Sequence, residues 1–455
     1  MGEPTPTGPV PPRPPSMDAL LRDPEAVLPL TRFGREAVKE ELRRAIAGGE
    51  TRPDALWDCA RRALERRFAP TLTRAVNATG VLLHTNLGRA PLGEGARAAI
   101  ADAAGGYATV EYDPGPGARG HRQDHVRAAA RELFGCGDAI ALNNNAAAVL
   151  LALAALARGR KVLVSRGELV AIGGSFKIPE ILEASGARLS EVGTTNRTTI
   201  DDYRRAVSPE VALLLTVHPS NYEIRGYTRR ASPAELAALA REAGVPWLHD
   251  QGTGAVVGLE EFGVEDETTV SECLAWGVDL VSFSGDKLFS GPQAGFLTGR
   301  ADLIALAAAH PVARAVRPDK LTLAALAATL AAWKTGAWRE FPIYRSAAAP
   351  LEELSRRGAD ILARAALGGA LEAEVVASEA AFGGGTSPEK LFASRALSLR
   401  HAERSADSLA AILRSGSPPV VPRVEENRVL LDLRSIAPEE DAIVAAGLKT
   451  LDGMR

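Results

Sequence analysis

Lys287 follows closely on an apolar run ending at Phe283, within VDLVSFSGDKLFSGPQAG (278–295). An amine that is buried or set beside positive charge has a lowered pKa and can form a Schiff base. Ser284, three residues earlier, can donate to a phosphate. The plain alternative is a surface lysine on a loop. Asp250 closes a second apolar run, in VPWLHDQGTG (245–254). A carboxylate there can keep a pyridinium nitrogen protonated, which makes pyridoxal phosphate (PLP) an electron sink. Its plain alternative is a helix cap. The spacing between Asp250 and Lys287 leaves room for one helix and one strand. Two adjacent parallel strands would then present both side chains at one sheet edge, and together they favour PLP.

A third stretch, LNNNAAAVLLALAALARG (142–159), places three asparagines before strong helix formers. The start of that helix, at Asn145, Ala146 and Ala147, offers backbone N–H groups and the positive dipole end, a site for the phosphate of PLP. Asn145 also reads as a simple N-cap. Arginine supplies the remaining candidates. Arg89 lies in HTNLGR (84–89), and Arg314 and Arg317 flank Val316. Guanidinium groups bind oxyanions through paired hydrogen bonds, although surface charge has the same appearance in a sequence.

Other matches are set aside. GPGARG (115–120) fits a dinucleotide-binding glycine pattern, but Pro116 interrupts it and no acidic residue ends a second strand at the right distance. SGDK (284–287) and KTG (334–336) echo penicillin-recognising enzymes, but the SxN-like Ser220-Asn221 comes before SxxK, and Lys334 closes a helical pattern. His121 and His125 are four apart on an expected helix, yet no third metal ligand accompanies them, so no metal is expected.

The elements that must position these residues are legible as apolar runs. They are Ala139–Leu142, Lys161–Ser165, Arg188–Val192, Val211–Val217, Val245–His249, Leu280–Phe283 and Gly295–Leu297, separated by alanine-rich helical segments. That alternation predicts an α/β fold, a mostly parallel sheet with helices on both faces. Ligands in such folds sit beyond the carboxyl ends of strands, where Asp250 and Lys287 fall.

The chain has 455 residues, 46% hydrophobic and 24% charged, which excludes wholesale disorder. A net charge of −3 and 5% aromatics give no support to nucleic-acid contacts. Three scattered cysteines form neither a disulfide framework nor a zinc knuckle. No signal peptide or membrane span is evident, so a cytoplasmic protein is expected. Four regions are expected: a disordered Pro-rich tail at 1–16, a helical domain at 17–75, a large domain at 76–335 and a smaller α/β domain at 336–455. In the helical domain Asp18 is the expected cap of a short first helix. Its stretch Arg61–Arg74 holds five arginines against Glu65 alone, a solvated face or a nucleic-acid arm. Either Met1 or Met17 can be the start.

VNATGVLLHTNLGRAPL (76–92), NNNAAAVLLALAALARG (143–159), VSRGELVAIGGSFKIPEILEASGARLSEVGTTNRT (164–198), VHPSNYEIRGYT (217–228) and FSGDKLFSGPQAG (283–295) resemble the bacterial L-seryl-tRNA(Sec) selenium transferases, from about residue 17 to the C-terminus. The resemblance implies a PLP-dependent transferase type I fold with an N-terminal helical domain that docks on tRNA(Sec), corresponding to about 17–75. It implies Lys287 as the Schiff-base lysine, and Arg89, Arg314 and Arg317 as the residues that hold selenophosphate. It also implies a ring-shaped homodecamer built from dimers. Two departures stand out: the family's glycine before a late C-terminal arginine is here Pro422, and the Pro-rich tail is extra.

Residue chemistry and resemblance together imply one course. Lys287 removes the Cα proton of the bound seryl group while Asp250 keeps the PLP ring protonated. Hydroxide or water leaves to give a dehydroalanyl species, selenium from selenophosphate adds at Cβ, and reprotonation yields selenocysteinyl-tRNA. A seryl ester has no free carboxylate, which leaves the arginines for phosphate. Two alternatives remain: a PLP-dependent lyase acting on a small amino acid or amino sugar acid, and a non-catalytic RNA-binding scaffold.

Overall fold

The computed structural model describes residues 13–172, 176–219, 222, 224–383 and 385–454. Most of the Pro-rich tail, residues 173–175, 220, 221 and 223 of the family-like motifs, and Gly384 lie outside the described residues. The chain divides into two units, Met1–Arg74 and Ala75–Arg455. Among the described residues no helix is long and apolar enough to cross a membrane.

The first unit packs helices Met17–Arg22, Val27–Phe33, Arg35–Ala47 and Pro53–Arg67 around Leu20, Val38, Leu42, Leu56, Trp57 and Leu64. Ser16 rather than Asp18 caps the first helix, because its hydroxyl accepts from the Ala19 amide at 3.2 Å. Pro53 opens the last helix, where its missing N–H has no intrahelical partner to lose. In the basic stretch Arg61 pairs with Glu25 and Asp58, and Arg67 with Glu40 and Glu41.

The second unit is built on a seven-stranded sheet: β1 Asp138–Leu142, β2 Lys161–Ser165, β3 Arg188–Val192, β4 Val211–Val217, β5 Trp247–Gly252, β6 Leu280–Ser284 and β7 Gly295–Gly299. The spatial order is β1-β7-β6-β5-β4-β2-β3. All pairs are parallel except the two that β7 makes. Every residue of β4 is buried, which is why its sequence is a continuous apolar run instead of an alternation. The helix Asn145–Leu156, equally apolar all round, covers one face beside helices Ile178–Ser185 and Ala301–Ala309. On the other face a ring cluster backs the site, with Phe283 and Phe296 stacked at 4.9 Å and Phe134 and Phe289 set against them.

A second sheet joins Val76–Ala78, Val420–Glu425, Arg428–Asp432, Thr386–His401 and Leu371–Gly383, in that order. The strand Val76–Ala78 pairs with Val420–Pro422, so these residues belong with the C-terminal sheet and not with the large domain to which the sequence reading assigned them. Pro422 is accommodated inside its strand, opposite Ala78. Past that strand the amides of Leu82 and Leu83 bond Ala381 and Phe382, which steers the chain toward Arg89.

Candidate functional site

Strands β5 and β6 run side by side in parallel, with Asp250 opposite Ser282 in register. The next turn carries Ser284, Gly285, Asp286 and Lys287. It is closed by the Gly285 amide on the Ala294 carbonyl, the Ser290 amide on Lys287 and the Leu288 amide on Thr253. Ser290 holds left-handed backbone at φ 59, and its buried hydroxyl has no partner among the described residues. Strain of that kind in a non-glycine residue collects at functional sites. Lys287 is only 5% exposed. Burial and the Arg89 charge pull its pKa down, against the upward pull of Asp250, Asp286 and Glu267. A lowered pKa raises the share of unprotonated, nucleophilic amine.

Asp250 is buried, and both of its side-chain hydrogen bonds fall on Oδ1, from Asn145 Nδ2 at 2.8 Å and Ser282 Oγ at 3.0 Å. Burial raises its pKa, opposed by those two donors and by Lys287. A cation beside it would restore the anionic form.

The helix cap corrects the sequence reading. Asn144 is the N-cap, its Oδ1 accepting from the Ala147 amide at 2.8 Å. Asn145 instead turns its amide group to Asp250, and its own Oδ1 is buried without a partner among the described residues. The Ala147 amide is therefore already taken. The Asn145 and Ala146 amides open the helix, where backbone N–H groups lack intrahelical acceptors. Gly295 permits the approach of β7 to this turn, since a Cβ there would lie 2.1 Å from the Asn144 carbonyl oxygen.

Arg89 is brought to the lysine turn. Its NH1 meets Asp286 Oδ2 at 2.7 Å, and the Ala90 amide bonds the Asp286 carbonyl. Gly88 and Arg89 both hold left-handed backbone, at φ 89 and 62. Arg314 and Arg317 lie on another segment, tied to the residues ahead of the helix Asn145–Leu156 by the Asn143 amide on the Val316 carbonyl at 2.9 Å. Arg317 meets Glu111 at 3.4 Å. Arg314 is exposed and makes no ion pair among the described residues. Ser284 lies buried at the end of β6.

The expected helical pair His121 and His125 does not form. The helix begins at Asp124, and His125 Nε2 sits 3.2 Å from the Val110 carbonyl. Among the described residues no cluster suited to a metal is present.

Three site residues escaped the sequence reading. Asp286 holds Arg89 with one oxygen and leaves Oδ1 buried with no partner among the described residues. Glu267 and His218 face each other at 4.0 Å, and each has a buried atom without a partner among the described residues. Burial and the charges of Lys287, Arg230 and Lys390 push the His218 pKa down to about 4, so the imidazole is neutral at pH 7. His218 directly follows β4, a position the strand-end rule picks out; Glu267 sits in a loop without such a signal.

The family model described as L-seryl-tRNA selenium transferase matches residues 75–437, and that described as selenocysteine synthase N terminal matches 15–47. A curated L-seryl-tRNA(Sec) selenium transferase from Moorella thermoacetica is 44% identical over 458 residues, covering 96% of this chain and 96% of its own length. Its counterpart from Carboxydothermus hydrogenoformans is 43% identical over 440 residues, covering 94% of each. Among solved structures, D-glucosaminate-6-phosphate ammonia-lyase is similar in fold, with a TM-score of 0.60 at 20% identity over 86% of this chain and 98% of that one.

Proposed function

The chain belongs to the L-seryl-tRNA selenium transferase family, and on that premise we propose that it converts L-seryl-tRNA(Sec) to L-selenocysteinyl-tRNA(Sec) with PLP as cofactor and selenophosphate as donor. The observation that carries the reading is the buried Lys287 at the end of β6, one strand from the buried Asp250.

The residues present fit PLP. Lys287 would hold its aldehyde carbon, and Asp250 would hold a proton on its ring nitrogen. Asn145, whose buried Oδ1 has no partner among the described residues, together with the Asn145 and Ala146 amides and Ser284, offers polar groups for its phosphate and ring substituents. When bound, PLP supplies an electron sink for the Cα carbanion.

The chain's own groups supply the rest. Lys287 Nζ, its pKa lowered by burial, takes the Cα proton of the seryl group. Asn145 and Ser282 hold the Asp250 carboxylate in place and favour its charged form. The seryl β-oxygen leaves as water, the selenium nucleophile forms the new bond at Cβ as the proton returns to Cα from Lys287 Nζ, and water cleaves the Se–P bond to release phosphate. Arg89, Arg314 and Arg317 bind the phosphoryl part of the donor. The helical unit 17–75 docks on tRNA, with Arg62 and Arg66 the arginines of its last helix that make no ion pair among the described residues. The chain works in the cytoplasm as a homodecamer built from dimers.

The test is conversion of seryl-tRNA(Sec) by the purified chain with PLP and selenophosphate. Selenocysteinyl-tRNA is the expected product, and free serine is not turned over. Turnover of a free amino acid and none of seryl-tRNA would replace this reading with the small-molecule lyase.

A further inference from the structure

We propose that Arg122 is the positioning residue for Arg317, and that Glu111 is a stand-in anion that Arg317 gives up when the selenium donor binds. The proposal rests on the reading above that Arg317 takes the donor.

Arg317 sits between two pinned carbonyls. Val316 O accepts from the Asn143 amide at 2.9 Å, and Pro318 O accepts from Arg122 NH1 at 2.6 Å. The first bond ties the segment to the residue before the helix cap; the second ties it to the turn ahead of helix Asp124–Phe134. Arg122 is mostly buried and uses its fork on two separate pieces of chain. While NH1 holds Pro318, Nε and NH2 both donate to Glu111 Oε1, at 3.1 and 3.0 Å. Its neighbour Gln123 anchors the turn to the edge strand β1, donating to the Ala141 carbonyl and accepting from the Ala141 amide.

Arg317 NH1 reaches that same Glu111 Oε1, at 3.4 Å. A carboxylate oxygen has two lone pairs, and here it faces three donors. Arg317 makes the longest and weakest of the three bonds, so it is the one an incoming ligand displaces. The other oxygen of Glu111 accepts from Arg119 at 3.2 Å. One carboxylate thus serves three arginines, with Arg314 close by in sequence and unpaired among the described residues, which leaves the rim cationic. A phosphoryl dianion offers Arg317 a bidentate partner that the shared Glu111 oxygen cannot. Arg122 keeps Arg317 aimed, and Glu111 keeps it occupied.

The test uses the full-length holoenzyme. Donor KM and kcat are measured with selenophosphate varied at saturating seryl-tRNA(Sec), and inorganic phosphate binding is measured directly by calorimetry. Arg317→Ala is expected to raise donor KM by about tenfold or more. Arg122→Met is expected to raise it by about tenfold with kcat and the seryl-tRNA KM within about twofold, and to weaken phosphate binding in parallel. Arg122→Lys, which keeps one donor for Pro318, falls between, and it decides the matter if the methionine variant folds poorly. Glu111→Gln keeps an acceptor oxygen but removes the competing charge, so donor KM falls and phosphate binds more tightly. If Arg317→Ala raises donor KM while both Arg122 variants leave KM and phosphate binding unchanged, the positioning role is wrong. If Glu111→Gln raises donor KM, the stand-in role is wrong. If Arg317→Ala itself changes neither quantity, the donor-binding reading fails and this proposal fails with it.

Discussion

Asn145 donates its side-chain amide to Asp250 at 2.8 Å, and this bond joins the start of a helix to the end of a strand 105 residues later in the chain. It couples the two features that favour a phosphorylated pyridine cofactor, an open helix N-terminus and a buried carboxylate. Asn145→Ala removes one of the two donors that favour ionised Asp250. PLP affinity is expected to fall by about tenfold, the value of one charge-assisted hydrogen bond. Ser282→Ala, with a longer bond, is expected to cost about threefold. Equilibrium titration of the apoenzyme with PLP measures both. Unchanged affinity in Asn145→Ala would remove Asp250 and Asn145 from the cofactor site.

Glu168 gives a pH-dependent prediction. It is buried, accepts from the Val217 amide at 3.0 Å, and burial raises its pKa to about 7 from an ordinary 4.5. Between those values the folded chain binds one proton more than the unfolded chain. Stability therefore falls as pH rises through that window, by about 3 kcal/mol for this site. Glu168→Gln keeps the acceptor and cannot titrate. Its denaturant midpoint should match the parent near pH 5 and exceed it at pH 8. A difference that does not change with pH would show that Glu168 has an ordinary pKa.

A buried ion pair joins the helix Leu351–Ala365 to the helix Asp441–Asp452. Arg357 meets Asp441 at 2.7 Å and also donates to the Leu433 and Ile436 carbonyls. Arg357→Met leaves the carboxylate and both carbonyls without their donor. A loss of about 3 kcal/mol in unfolding free energy is expected from denaturant titration. A loss below about 1 kcal/mol, the range of exposed pairs, would mean that water replaces the arginine.

Much of this architecture was legible in the residues. Runs such as Val211–Val217 are strands buried on both faces, so composition alone marks them, and the strand-end rule then picks out Asp250 and Lys287. What was not legible depends on contacts distant in sequence. Arg89 and Asp286 are 197 residues apart, and no local pattern joins them. Val76–Ala78 is three residues long, and only its pairing with Val420–Pro422 assigns it to the C-terminal sheet. Three asparagines in a row are equivalent as caps on paper; their order in space puts Asn144 on the Ala147 amide and Asn145 on Asp250. The histidines at 121 and 125 have helical spacing, but the helix starts between them.

The central claim is that Lys287 carries PLP and acts on seryl-tRNA. It is tested most directly by the absorption spectrum of the holoenzyme and of Lys287→Ala, each recorded before and after addition of seryl-tRNA(Sec) and of free serine. The parent is expected to show a band near ~420 nm, typical of lysine-bound PLP. Borohydride should abolish that band, and seryl-tRNA but not serine should shift it. Lys287→Ala should lack the borohydride-sensitive band and lose turnover by about a thousandfold or more. A parent protein with no such band after incubation with PLP, or a Lys287→Ala variant that keeps both band and turnover, would contradict the account.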